Sequence, residues 1–245
     1  MLNPTLDLPA LAAAFAETGR IRVAEALAPA AADAVAGEMA GLRYQLFCAT
    51  GKGVAVLDHE DLARWTPERR AELTEHLHEA AAQAEGFAYD GFRMTEAWTQ
   101  AIPDTPLGRL HRALPSPAML EAMRAITGAS TFDNAFAQAT RYAPGHYLTR
   151  HLDDPKGEHR KFAFVWGFTR KWDPDWGGLL QFYDDAGGPT DALSPGFNTL
   201  DLFDVRHVHA VTYVAPFAKA PRLAVSGWFV DGDPLKPAAR AKAGH

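Results

Sequence analysis

Apolar positions follow two different rhythms along the chain. In the first half, Leu8–Glu17, Pro29–Gly41 and Pro67–Gln83 carry Ala, Leu and charged residues at the three-to-four-residue spacing of a helix with one apolar face. The ends of these segments agree with that reading. Thr66-Pro67 and Ser116-Pro117 each place an N-cap hydroxyl before a proline at the first helical position, and Gly41, Gly86 and Gly128 stand where C-terminal glycines belong. From about Thr131 the rhythm shortens to alternation within β-branched and aromatic runs: Phe162–Phe168, Leu179–Tyr183, Asn198–Phe203, His209–Val214 and Leu223–Val230, separated by Gly, Pro and Asp. Short strands in series after a helical N-terminus predict an α+β protein whose helices pack outside one sheet of a β-sandwich or small barrel.

Composition narrows the classes without changing this picture. The 245 residues carry a formal charge of -6, and 47% of them are hydrophobic. A chain of this size buries about 70–75% of its unfolded surface, so one core needs no disulfide or structural metal. Cys48 is the single cysteine, which excludes a disulfide framework, Cys-only zinc sites and intrachain iron–sulfur clusters, and suits a reducing compartment. No long apolar run can span a membrane, and Met1 to Glu17 lacks the basic start of a signal peptide, so the cytoplasm is expected. A pI near 5.9 argues against a generic nucleic-acid binder and favours a small molecule or a peptide as partner. Without repeats or long linkers, 1–245 reads as one domain, helical over about 1–128 and β-rich over about 129–232, with a tail from Pro234 to His245.

Several catalytic patterns are missing: G-x-S-x-G, H-E-x-x-H and G-x-G-x-x-G, so hydrolase, zincin and Rossmann readings weaken. Gly51-Lys52-Gly53 lacks the rest of a phosphate loop and reads as a turn. Five of the ten histidines, His146, His151, His159, His207 and His209, fall in the β-rich half. In His151-Leu152-Asp153, a strand period of two puts imidazole and carboxylate on one face. A second histidine, His207 or His209, which share strand parity, would complete a two-histidine, one-carboxylate metal site with open positions for O2 and a bidentate co-substrate, as non-haem Fe(II) oxygenases require. Asp154 has the wrong parity and reads as a turn with Pro155. His159 reads as a solvated turn residue, and Trp172 and Trp176 as packing at a strand end.

Arg222 lies 13 residues after His209 and opens a strand on which Arg222, Ala224, Ser226 and Trp228 share one face. An inward guanidinium needs a buried anion, and the distal carboxylate of a dicarboxylate co-substrate can accept two parallel hydrogen bonds from it.

The order of these pieces resembles the Fe(II)/2-oxoglutarate dioxygenases of the prolyl hydroxylase type, collinearly from about Arg141 to Asp231. The likeness rests on Tyr142-Ala143-Pro144-Gly145, His151-Leu152-Asp153, Arg160 before an apolar strand, Lys171-Trp172-Asp173, Trp176-Gly177-Gly178, Leu200-Asp201-Leu202-Phe203, His209-Ala210-Val211-Thr212-Tyr213-Val214 and Arg222 to Phe229. It is closest to the hypoxia-sensing and ribosomal-protein prolyl hydroxylases. The resemblance implies a double-stranded β-helix (jelly roll) in which His151, Asp153 and His209 bind Fe(II). Arg222 binds the 2-oxoglutarate carboxylate, Tyr142 donates to the co-substrate, Ser226 stands near that carboxylate and Trp228 walls the pocket. It further implies oxidative decarboxylation of 2-oxoglutarate by O2, with ascorbate as a possible accessory, coupled to hydroxylation of a prolyl residue in a peptide or protein. One departure stands out. Where the hypoxia-sensing group has a tyrosine that helps hold the co-substrate, this chain has Gly167, which leaves Tyr147 or Gln138 to reach in. Two other readings of the same pattern are a cupin-like metal protein without 2-oxoglutarate and a non-enzymatic binding module.

Overall fold

The computed structural model describes residues 1–50, 53–154 and 159–232; Gly51 and Lys52 of the expected turn, Pro155, and the Pro234–His245 segment lie outside them. The chain begins with α1 (Leu8–Thr18), β1 (Arg20–Val23), α2 (Pro29–Ala40), β2 (Gln45–Thr50), β3 (Gly53–Asp58), α3 (His59–Arg64), α4 (Pro67–Ala82), β4 (Phe87–Phe92), α5 (Met94–Ala97), α6 (Pro106–Ala113) and α7 (Pro117–Thr127). It continues as β5 (Asn134–Tyr142), β6 (Tyr147–His151), β7 (Arg160–Phe168), β8 (Leu180–Tyr183), β9 (Pro189–Leu193), β10 (Phe197–Asp204), β11 (His209–Val211) and β12 (Arg222–Val230).

The helix ends follow capping chemistry. Thr66 Oγ1 accepts from the Arg69 amide at 3.3 Å and Ser116 Oγ from the Met119 amide at 3.4 Å, each ahead of a proline. Gly128 ends α7 in the left-handed conformation at φ 71°. Gly41 caps α2 at φ -103°, outside the left-handed region, and α4 ends four residues before Gly86, with Ala84 taking the positive φ.

All strand pairs are antiparallel, in the order β1-β10-β7-β12-β5-β4-β6-β11-β8-β9, with β2 pairing β3 and β4. The sheet curls so that β6, β11 and β8 face β5, β12 and β7 across a cavity lined from both sides, which is the double-stranded β-helix arrangement. Alternation assigns the two faces of the larger layer. Phe162, Phe164, Trp166 and Phe168 of β7 join Val225 and Phe229 of β12 in the main core under Phe15, Met39, Leu110 and Met123 of the helices. Ala163, Val165, Ser226 and Trp228 point the other way, into the cavity.

The expectation of a helical part over about 1–128 needs correction, because four strands form within it. β1 pairs with β10, and β4 lies between β5 and β6 at the centre of the sheet. Such segments of four to six residues give too short a periodic signal, and pairing with distant strands supplies the hydrogen bonds that make them extended. The expected strand to Val214 ends at Val211, after which the Thr212 amide bonds to the Leu179 carbonyl.

Asn198 anchors the entry to α2. Its amide accepts from the Leu27 N–H at 2.9 Å and donates to the Leu27 carbonyl at 2.8 Å, while its own backbone sits at φ 56°. Asn198→Ala removes both buried bonds and leaves a less tolerant residue in the left-handed region, so a loss of about 2–4 kcal/mol is expected, read as a lowered urea midpoint.

Candidate metal centre

The cavity between the layers has a volume of about 210 Å³. On one wall, His151 ends β6 and His209 begins β11 directly opposite it, with ring centroids 4.2 Å apart. Asp153 follows two residues later and is buried. One ligand atom from each of the three residues lies within 4.8 Å of the others; among the described residues no other such group of His, Cys, Asp and Glu occurs. Each histidine Nδ1 faces a carbonyl two residues earlier, Thr149 O at 2.9 Å for His151 and His207 O at 3.0 Å for His209. A carbonyl only accepts, so Nδ1 carries the proton and the Nε2 lone pair is left for a metal. The Nε2 atoms stand 3.5 Å and 3.4 Å from the two Asp153 oxygens. Burial alone would raise the Asp153 carboxyl, but with no metal between them protonated Nε2 atoms of His151 and His209 donate to it and hold it well below the usual carboxylate range. His151 shows the converse: burial lowers it, and the Asp153 charge and hydrogen bond more than restore it, so it is raised. Two neutral imidazoles and one carboxylate on one side of a cavity fit Fe(II) and leave coordination positions facing the interior.

His207 lies outside this group. Its Nε2 faces Gly19 and its ring stands edge-on to Phe182, so the shared strand parity of the two histidines did not place them together. His159 and Asp154 are exposed, and the indole nitrogen of Trp172 donates to the Gly177 carbonyl at 2.9 Å while its ring packs edge-on against Trp176.

The cavity is also lined by Arg222, 5% exposed, whose Nη1 has no hydrogen-bond partner among the described residues. The carboxylate of Asp201 is taken by Arg22 through bonds of 2.6 and 2.8 Å. Burial pushes the Arg222 guanidinium below its usual value, the mark of a cation held without an anion. Its guanidinium carbon lies 5.1 Å from the centre of the Tyr142 ring, and Tyr142, Ser226 and Trp228 line the same cavity. Arg160 covers the Trp228 ring at 3.6 Å and reaches to 3.8 Å from Asp153. A dicarboxylate spanning from Arg222 to the triad matches the unpaired cation at one end and the metal ligands at the other.

Comparison with known proteins adds a family match and a shared fold to this geometry. Residues 137–230 match the family model of the 2OG-Fe(II) oxygenase superfamily. This segment is similar to a 2OG-Fe(II) oxygenase core. It contains His151, Asp153, His209 and Arg222, with β5 to β12. No curated protein matches the chain. Among solved structures, the chain resembles a Pseudomonas putida prolyl-4-hydroxylase at TM-score 0.60 and 19% identity, covering 92% of this chain and 100% of that one. A Trichoplax adhaerens prolyl hydroxylase, solved with a hypoxia-inducible-factor peptide fragment, aligns at TM-score 0.61 and 17% identity over 97% of this chain and 93% of its own. The epimerase SnoN of nogalamycin biosynthesis aligns at TM-score 0.53 and 13% identity over 91% and 82%. At these identities the likeness establishes the fold.

Two cavity residues escaped the sequence reading or were left open by it. Tyr89 lines the cavity from β4, and Gln138 from β5 donates to its hydroxyl. The alternation Phe87-Ala88-Tyr89-Asp90 was the available signal for Tyr89, but it is meaningful only once β4 is known to be a strand. Tyr147 is buried on the other side of the sheet under α4, its hydroxyl donating to the Leu77 carbonyl at 2.6 Å, so it does not line this cavity.

Proposed function

We propose that the protein is an Fe(II)- and 2-oxoglutarate-dependent dioxygenase that hydroxylates an unactivated C–H bond, with a prolyl residue of a peptide or protein as its substrate. The observation that carries this reading is the buried Arg222, with no ion-pair partner among the described residues, in one cavity with the His151–Asp153–His209 triad. His151, Asp153 and His209 would hold the metal through Nε2, a carboxylate oxygen and Nε2. Bound Fe(II) supplies, with O2 and 2-oxoglutarate, the oxidising equivalents for hydroxylation, with succinate and CO2 as co-products.

The chain's own residues do the rest. Arg222 fixes the far carboxylate by charge-assisted hydrogen bonds, so the 2-oxo end is oriented before reaction. Tyr142, held protonated by burial first and by the nearby phenol of Tyr89 second, donates a hydrogen bond to the co-substrate. Ser226 stands beside the same carboxylate, and Trp228 with Ala163 and Val165 keeps the interior apolar and excludes water. The prolyl assignment rests on the fold shared with two prolyl hydroxylases, one bound to a peptide, and on the Tyr-x-Pro-Gly turn. The same reading takes 1–245 as one domain, ascorbate as an accessory reductant and the cytoplasm as its compartment, the last supported by the lone buried thiol of Cys48. Among the described residues no helix is long and apolar enough to cross a membrane.

The test is anaerobic addition of Fe(II) and then 2-oxoglutarate. The expected result is the weak visible charge-transfer band of the chelate, followed in air by succinate release that proline-containing peptides stimulate and by gain of one oxygen in the peptide. Iron binding with no band would instead favour a cupin-like metal protein.

A further inference from the structure

Position 167 carries no side chain for a steric reason. A β-carbon on Gly167 would lie 2.5 Å from Thr199 Oγ1 and 2.6 Å from the Gly196 carbonyl, so β10 already fills that place. With Tyr147 on the other side of the sheet, the second phenol in the cavity besides Tyr142 is Tyr89, and it comes from β4, outside residues 137–230.

Tyr89 is held in place from every side. Its ring is stacked between Phe47, at 6.1 Å and 16°, and Tyr142, at 5.3 Å and 20°. The next residue, Asp90, points to the opposite face of β4, where it is 1% exposed and bound by Arg141 at 2.7 Å and His59 at 2.7 Å, which locks the strand behind the ring. The Tyr89 hydroxyl accepts from Gln138 Nε2 at 3.4 Å, and among the described residues it has no acceptor for its own proton. Burial raises its pKa, and the charge of Asp153 adds to the effect, so at neutral pH the phenol keeps its proton and is a donor into the cavity. A hydroxyl proton that meets no acceptor among the described residues, in the cavity that His151, Asp153, His209 and Arg222 also line, calls for a ligand oxygen.

We infer that Tyr89 is a co-substrate-binding residue, its hydroxyl donating to a carboxylate oxygen of the 2-oxo acid, and that Gln138 is the positioning residue that orients this hydroxyl. This rests on the dioxygenase reading above. Tyr89 thereby takes over, from a strand of the N-terminal half, the task of the phenol that Gly167 cannot provide.

The experiment is anaerobic titration of 2-oxoglutarate into the Fe(II)-loaded full chain, followed by the charge-transfer band, for the wild type, Tyr89→Phe, Gln138→Leu and the double variant. Tyr89→Phe keeps the ring stack and removes only the hydroxyl. It is expected to weaken 2-oxoglutarate binding by about 5- to 20-fold with Fe(II) affinity and thermal midpoint unchanged. Gln138→Leu should weaken it less, and the double variant no more than Tyr89→Phe alone, since Gln138 acts through Tyr89. Fe(II) affinity in the same samples reports whether each variant retains a folded site, and Tyr89→Leu, which also removes the stack, should lose at least as much 2-oxoglutarate affinity as Tyr89→Phe. Unchanged 2-oxoglutarate affinity in Tyr89→Phe overturns the inference while leaving the dioxygenase reading intact, including the case in which only the KM for a peptide rises. Absence of the band in the wild type overturns both.

Discussion

Arg222→Met is expected to weaken 2-oxoglutarate binding by about 30- to 1,000-fold, equivalent to about 2–4 kcal/mol, while Fe(II) still binds. The magnitude follows from losing charge-assisted, two-pronged recognition of a carboxylate in a buried site. The variant carries a second expectation of opposite sign. Without co-substrate, Arg222 is 5% exposed and its Nη1 has no partner among the described residues, so the free protein bears the desolvation cost of the cation. Methionine fills similar space without charge, and the ligand-free variant should therefore unfold at a higher temperature than the wild type, by about 1–2 kcal/mol of stability. Calorimetric unfolding without ligand and anaerobic titration of 2-oxoglutarate read the two effects separately. Lost affinity together with a lowered unfolding temperature would mean that Arg222 is a structural ion-pair partner.

Removing any one ligand of the triad should have the largest effect on activity. Asp153→Ala, His151→Ala and His209→Ala each leave two donors in a site that needs three. Loss of an outer partner of a metal ligand already costs about 10- to 100-fold in metal affinity or activity, and loss of a ligand itself should exceed that, to about 1,000-fold or more. The decisive control is His207→Ala. The His207 side chain faces Gly19, and only its backbone carbonyl touches His209 Nδ1, so the substitution leaves that hydrogen bond in place. Fe(II) stoichiometry and succinate release should stay close to wild type in His207→Ala and collapse in the other three. The reverse pattern would exchange the two histidines.

These expectations rest unequally on sequence and structure. The pair His151 and Asp153 is legible because its two members are two residues apart on an extended segment, and the strand period puts them on one side. The helix starts at Pro67 and Pro117 are legible because the cap and the proline are adjacent in the chain. Choosing His209 over His207 was not a matter of periodicity, since both have the same parity; β11 starts at His209 only because of its pairing with β6 and β8. Gly167 was legible as a departure, but not the reason for it, which is the approach of Thr199 of β10 and of Gly196 just before that strand.

The sequence by itself determined the change from helical to strand periodicity, the motif order over the segment that matches the family model and the candidate ligands for a metal and a carboxylate, because each of these is written within short stretches of chain. Tertiary structure alone decided that Arg222 has no ion-pair partner among the described residues, since Asp201 is held by Arg22 from β1. It alone brought Tyr89 of β4 into the same cavity as β12 and turned Tyr147 away. Those outcomes depend on contacts between residues tens to nearly two hundred positions apart, where the competition among partners is settled by packing and burial and leaves no local trace.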